Sequence, residues 1–205
     1  MSNYTFIELS PRKEAKILAD YTSMEDDLRS SRNFAELYLA EYQKIGSTPG
    51  LVDALMVAII IRYARSFGGG VRSHLPKPTD ILTKEQIVRH EFFMAVRDKY
   101  IAHSVNAYEE CQLVARYWDH KVQTEGINEV GCIYTRVAGL SEQDARDIIG
   151  LIDTWLRHVN DKLRGEKAKL VALIRKIPFE KLRQSSPGPK MLDLSQPLKR
   201  RRSFT

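Results

Sequence analysis

The residue types best suited to chemistry lie in one short segment of this chain, residues 97–104 with the sequence RDKYIAHS. Arg97 is a permanent cation, Asp98 is a carboxylate beside it, and His103 is a side chain that can carry a proton near neutral pH. A cation that stabilises developing negative charge and a proton carrier are the groups needed to cleave a phosphodiester without a metal ion. The segment therefore predicts acid–base chemistry on a phosphate ester.

The spacing of this segment constrains the backbone that must carry it. Successive residues of an α-helix advance by about 100°, so Arg97 and His103 lie about 120° apart around a straight helix and do not share a face. For both to reach one phosphate, the helix must end or distort near Ala102, or two chains must contribute to one site. A histidine at a helix C-terminus also lies at the negative end of the helix dipole, which favours its protonated form.

Hydrophobic periodicity and capping signals predict four or five helices. We expect an N-terminal arm over 1–10, a helical domain over 11–183 and a disordered basic tail over 184–205. Helices are predicted over residues 11–45 with an interruption near Thr22-Ser23, and over 48–67, 84–102 and 141–177. A strand-like pattern predicts a hairpin over about 111–138. The predicted fold class is mainly α, a four- or five-helix antiparallel bundle with a small β-hairpin insertion.

Particular residues support these boundaries. Thr83 with Gln86, and Ser141 with Asp144, have the spacing of capping boxes that begin helices. The segment 51–63 is apolar nearly all round, which is typical of a helix buried in the centre of a bundle.

Composition limits the class of protein. The chain of 205 residues carries a net charge of +6. Four of those six charges come from the 184–205 tail, so the basic balance does not by itself indicate a nucleic-acid-binding body. The longest apolar run is too short to span a bilayer and no signal peptide is recognised, so we expect a cytoplasmic protein that does not enter a membrane. Cys111 and Cys132 are expected to be buried free thiols.

Two segments resemble a known superfamily. The motif Arg97-Asp98-x4-His103 is similar to the signature of the HEPN superfamily, and the phrase RDKYIAHS resembles its abortive-infection branch. The segment 63–72, with the sequence YARSFGGGVR, also resembles that branch. The resemblance covers roughly residues 15–177, and outside these two segments it is agreement in pattern only.

The resemblance implies a helical homodimer with paired motifs that face one cleft, and many members are metal-independent endoribonucleases of host-defence or toxin systems. In that scheme Arg97 stabilises the negative charge of the phosphorane. His103 acts as general acid or base, and Asp98 orients or tunes one of the two. RNA is the implied substrate, an antitoxin or regulatory protein is a possible partner, and no cofactor is expected. Other members are inactive, so the alternative is a non-catalytic HEPN-like dimer that binds nucleotides or a partner protein.

Three further residues are candidates for substrate binding. Arg65 and Arg72 flank a glycine run and could contact an RNA backbone, although ordinary surface charge is the favoured explanation. His90 lies seven residues before Arg97 and so on the same helical face, although a surface histidine without a role is the more ordinary explanation. Arg97 could equally be a solvated arginine paired with an acid, and His103 a helix C-cap. The histidines and acids show no spacing typical of a metal site, so no metal is predicted.

Overall fold

The computed structural model describes residues 13–44, 46, 48–68, 73, 75–101, 109–117, 127–136 and 139–184. The described residues form five α-helices and one two-stranded antiparallel sheet, so the predicted fold class is confirmed. The elements, in chain order, are α1 (Lys13–Tyr42), α2 (Pro49–Arg65), α3 (Lys84–Val96), β1 (Glu109–Tyr117), β2 (Ile127–Arg136), α4 (Glu142–Ile174) and α5 (Phe179–Gln184). A 3₁₀ turn spans Pro78–Asp80, and a π-helical turn, Arg97–Ile101, continues α3.

The two long helices, α1 and α4, form the framework of the bundle. Arg32 near the middle of α1 binds Asp153 of α4. Gln43, just beyond the C-terminal end of α1, donates to Glu142 at the N-terminal end of α4. Residue numbers therefore rise along one helix as they fall along the other, which makes the pair antiparallel.

Helix α2 packs on α1 and α3 and supplies much of the core. Its buried residues are Val52, Met56, Ile59, Ile60, Tyr63 and Ala64. They pack in one cluster with Leu28 and Tyr38 of α1, Phe93 of α3, and Ile148, Ile152 and Trp155 of α4. The prediction that this apolar helix is buried is confirmed for that face only. Leu51 is 45% exposed, and Val57 and Ile61 are partly buried, so α2 lies at the border of the core with one face inside it.

Helix α1 corrects one prediction, because it runs without a break through Thr22 and Ser23. The Thr22 hydroxyl donates to the Leu18 carbonyl four residues earlier, which satisfies a polar group that otherwise competes with the helix. Tyr21 and Met24 on either side are buried in the core. Their burial outweighs the weak helix propensity of Thr22 and Ser23.

The helix starts that capping boxes predict are confirmed. Thr83 and Gln86 form a reciprocal cap at the start of α3, and Ser141 and Asp144 do the same for α4. The C-terminal boundary of α4 is less accurate than its start, since the helix ends at Ile174 and Pro178 separates it from α5. Gln184, the first residue of the predicted tail, is the last residue of α5.

The hairpin forms close to its predicted position. Strands β1 and β2 pair from Glu109 opposite Arg136 to Tyr117 opposite Ile127, with an irregularity between Arg116 and Tyr117. Among the described residues, neither strand packs substantially on a helix.

The expectation of buried free thiols is wrong for Cys132. This residue is exposed and disulfide-bonded, and the only other cysteine in the sequence is Cys111 in β1. The physical reason is that, in the described part of the chain, no helix packs on the strands closely enough to bury a thiol.

A single buried hydroxyl fixes the chain where it enters α4. The Tyr38 hydroxyl donates to the Leu140 carbonyl at 2.5 Å and accepts from the Leu140 N–H at 2.8 Å. Gly139 has a φ of +105°, and a Cβ atom there would lie 2.7 Å from the Tyr38 oxygen. Glycine is therefore required at position 139 for both backbone conformation and space.

Replacing Tyr38 by phenylalanine should destabilise the fold by about 1–3 kcal/mol, because both backbone groups of Leu140 would stay buried without partners. For a domain of this size, 2 kcal/mol corresponds to a fall in melting temperature of roughly 4–8 °C. Tyr42→Phe is the matched control, since Tyr42 lies one turn away and is 46% exposed. Thermal unfolding followed by circular dichroism measures both, and equal melting temperatures for the two variants would contradict the role assigned to Tyr38.

Candidate functional site

Arg97 and Asp98 lie where α3 changes from α-helical to π-helical geometry. Arg97 is the C-cap of α3, and its N–H bonds back to the carbonyls of Phe93 and Met94. The π-helical turn begins at the same residue. Such turns are rare and occur frequently at functional sites. The helix therefore leaves regular α geometry over Arg97–Ile101, whereas Ala102, where the sequence predicts the end or distortion, and His103 lie outside the described residues.

The two side chains form an exposed ion pair. Arg97 Nη1 lies 2.5 Å from Asp98 Oδ1, and the side chains are 47% and 55% exposed. The neighbouring Lys99 is also exposed. A phosphate that approaches this end of the helix would meet the Arg97 guanidinium, which the Asp98 carboxylate already holds in position. The same carboxylate offsets part of the positive charge that would attract the phosphate.

The backbone below this pair is anchored to the core. Phe93 and Val96 are buried. Arg89 lies over the rings of Phe92 and Phe93, at 4.7 and 5.1 Å from their centroids. Arg89 also binds Asp144 and Asp147 of α4. The cation therefore connects α3 to α4 and fixes the base of the helical end that presents Arg97.

Two predicted site residues lie outside the described residues, namely His103 and Arg72. Next to Arg72, however, Ser73 is described. Its N–H and hydroxyl bind Oδ2 of Asp20 at 2.8 and 3.0 Å, and Asp20 is 5% exposed. A buried carboxylate of α1 thus fixes the chain immediately after position 72.

Arg65 is held by a buried acid and is only partly free for a ligand. Its Nε lies 3.5 Å from Oδ2 of Asp27, while Arg62 Nη1 lies 2.7 Å from Oδ1 of the same residue. Asp27 is 2% exposed and Arg65 is 50% exposed. A buried carboxylate needs compensating charge, so the two arginines serve the fold as well as any ligand.

The sequence carries a signal for this acid, which lies outside the motifs described above. Asp27 lies three residues after Met24 and four before Ser31, on the stripe of α1 that faces the core. An acid on an apolar stripe predicts a buried ion pair, and the basic residues at the end of α2 are its natural partners.

The expectation that His90 lies on the surface is wrong. His90 is 7% exposed, and its Nδ1 lies 2.8 Å from the Tyr63 hydroxyl. The ring of Phe67 packs edge-on at 4.7 Å. Burial lowers the pKa of His90, so its neutral form is favoured. The ring connects α2 to α3 inside the bundle and does not share the exposed surface of Arg97.

Among the residues that the structure describes, no group of three or more histidine, cysteine or acidic residues is arranged to hold a metal ion. No helix of residues 13–184 that the structure describes has the length and hydropathy needed to cross a membrane.

Comparison of the chain with protein-family models, with curated proteins and with solved structures finds no match in any of the three. The site must therefore be interpreted from its own residues.

Desolvation of two histidines, one buried and one partly buried, predicts how stability depends on pH. Desolvation lowers the pKa of both His90 and His158, with Lys162 adding to the effect at His158. Below the unfolded-state pKa of about 6.5, the unfolded chain binds protons that the folded chain rejects. Stability should be complete above that pH and should fall as the pH decreases toward the lowered folded-state values.

We expect the melting temperature to fall between pH 7 and pH 5, and the fall to be smaller in His90→Asn, which keeps an acceptor for Tyr63 but does not titrate. Combining His90→Asn with His158→Asn should reduce the fall in melting temperature further, because the acids with lowered pKa titrate below this pH range. Scanning calorimetry across the window measures this. An unchanged slope in the double variant would contradict the assignment.

Proposed function

We propose that this protein is a metal-independent endoribonuclease in which Arg97, Asp98 and His103 carry the reaction. His103 takes or gives the proton as the 2′-hydroxyl attacks the adjacent phosphorus and the 5′-oxygen leaves. Arg97 stabilises the negative charge that develops on the phosphorane oxygens. Asp98 orients Arg97, and the products are a 2′,3′-cyclic phosphate and a 5′-hydroxyl.

One observation carries this proposal: an arginine and an adjacent carboxylate are exposed on a distorted helix end whose base is anchored in the core. A side chain on a rigid element keeps its geometry when substrate binds, which lowers the entropic cost of reaching the transition state. The ion pair with Asp98 at 2.5 Å limits the positions that the Arg97 side chain samples. The resemblance to the HEPN motif supports the same roles.

The proposal includes a homodimer that acts on RNA in a defence or toxin setting, in the cytoplasm, with an antitoxin or regulatory protein as a further partner. Two copies would place two sets of Arg97 and His103 at one cleft, so that one histidine serves as base while the other serves as acid. The disulfide at Cys132 opposes the cytoplasmic part of this proposal, because such bonds persist mainly in oxidising compartments.

The alternative is a non-catalytic dimer that binds nucleotides or a partner protein. This alternative is favoured because the candidate cations already bind acids of the protein. Arg97 is paired with Asp98, and Arg65 is paired with Asp27. The burial of His90 also removes one proposed contact from the surface.

The deciding experiment is cleavage of single-stranded RNA by the purified protein in EDTA, with the 3′ ends identified by mass spectrometry. The wild-type protein should leave 2′,3′-cyclic phosphates. His103→Ala should reduce the rate by about 10²-fold or more, the usual scale for loss of a general acid or base. Arg97→Ala should reduce it by about 10²-fold or more through loss of charge stabilisation.

Lys99→Ala is the matched control, because it removes an exposed cation two residues from Arg97 and leaves the proposed chemistry intact. We expect this control to retain the wild-type rate within about threefold, and all variants to keep the wild-type melting temperature. Equal activity in the Arg97, His103 and Lys99 variants would indicate a contaminating nuclease. A requirement for added metal would contradict the mechanism, and RNA or nucleotide binding without cleavage would favour the alternative.

A further inference from the structure

The hairpin presents apolar side chains without a partner. Leu113 is 80% exposed, Val130 is 68% exposed and Ile133 is 51% exposed. In the register of the sheet, Leu113 lies opposite Cys132, and Ala115 lies opposite Val130. Leu113 and Val130 therefore share one face, and Ile133 lies on the other.

Each strand also has an edge that pairs with no other strand of the described chain. The sheet contains only β1 and β2 among the described residues, so one row of N–H and C=O groups on each strand is not bonded within the sheet. Two-stranded hairpins are marginally stable in water, and an unpaired edge readily accepts another strand. The centre of β1 carries no proline or lysine, residues that commonly protect such an edge.

The sequence of β1 is complementary to itself in charge. In an antiparallel ladder, hydrogen-bonded pairs of opposed residues alternate with non-hydrogen-bonded pairs. A two-fold axis between two adjacent pairs would make them the same kind. When a strand pairs with its own copy, the axis must therefore pass through a pair, and one residue lies opposite itself. With Leu113 at the centre, Glu110 lies opposite Arg116 of the second copy, and Arg116 lies opposite Glu110. Both positions belong to the regular part of the strand, before the irregularity at Tyr117.

No neighbouring register has this property. Centring on Gln112 places Glu110 opposite Val114, and centring on Val114 places Arg116 opposite Gln112. Strand β2 is less suitable, since centring on Cys132 pairs Glu129 with Thr135 and leaves the charge unmatched. Gly131 in the middle of β2 also weakens that strand as a pairing edge.

We infer that the outer edge of β1 pairs with β1 of a second copy of this chain, centred on Leu113, to form a four-stranded antiparallel sheet. The strand order is β2, β1, then β1 and β2 of the second copy. The interface is isologous, so each contact occurs twice. Two Glu110–Arg116 pairs set the register, and the two Leu113 side chains meet at the axis. This pairing rests on the homodimer of the proposed function and names its interface, but it does not depend on ribonuclease activity.

Sedimentation velocity of the full-length protein tests the pairing. The edge of one short strand buries less area than a standard protein interface, so we expect a dimer that dissociates between about 1 and 100 µM. In the Glu110→Arg variant, the new arginine lies opposite Arg116 of the second copy, and this happens at both ends of the paired region. The two like-charged pairs should weaken the dimer about tenfold. Thr135→Arg is the control, because it adds a cation directly opposite Glu110 in the hairpin but on the other edge.

A mixture of two variants makes the test specific. The first is Glu110→Arg. The second is Arg116→Glu combined with Glu129→Arg, which preserves the opposite charges of that pair within the hairpin. Each variant alone places like charges opposite each other across the axis, whereas a heterodimer of the two restores both Glu–Arg pairs.

We expect each variant to be mainly monomeric at concentrations where the wild-type protein dimerises, and the equimolar mixture to dimerise within about threefold of wild type, since opposite charges are restored. Restored dimerisation also shows that both variants are folded. Three results would overturn the inference: a wild-type monomer throughout the range, an undiminished Glu110→Arg dimer, or a mixture that remains monomeric. Association that appears only when RNA is added would also overturn it.

Discussion

Burial of α2 is the constraint on which the rest of the structure depends. One face of this helix carries Val52, Met56, Ile59, Ile60 and Tyr63, so it can be stable only if other elements cover that face. Helix α1 packs along it, α3 closes a further side through Phe93, and Trp155 of α4 joins the same core. The remaining features of the bundle follow from the contacts that this covering requires.

Several polar groups are enclosed when α2 is covered, and each has a specific partner. Ser31 donates to the Ile59 carbonyl, Asp27 binds Arg62, and the Tyr63 hydroxyl meets His90. Removal of one partner leaves a buried group unsatisfied, which costs about 1–3 kcal/mol. These contacts therefore define one arrangement of the helices, and they explain why His90 belongs to the core.

The candidate site lies at the border of this core. The core side of α3 is held by Phe93, Val96 and the contacts of Arg89 with α4, whereas Arg97 and Asp98 extend into solvent. The helix leaves regular α geometry at the point where the exposed residues begin. A fixed base with accessible polar groups suits both of the functions considered above, since catalysis and ligand binding both benefit from preorganised side chains.

The sequence by itself determined the class of fold, most of the helix starts and the segment most suited to chemistry. These depend on local signals: the periodicity of apolar residues, the reciprocal caps at Thr83 and Ser141, and the spacing of Arg97, Asp98 and His103. Only the tertiary structure decided that α1 continues through Thr22, that His90 is buried, that Arg65 binds Asp27 and that Cys132 is exposed. The first three outcomes depend on neighbours distant in sequence, whereas Cys132 is exposed because no helix packs substantially on the described strands. Burial and pairing energies then exceed the local preferences on which sequence interpretation relies.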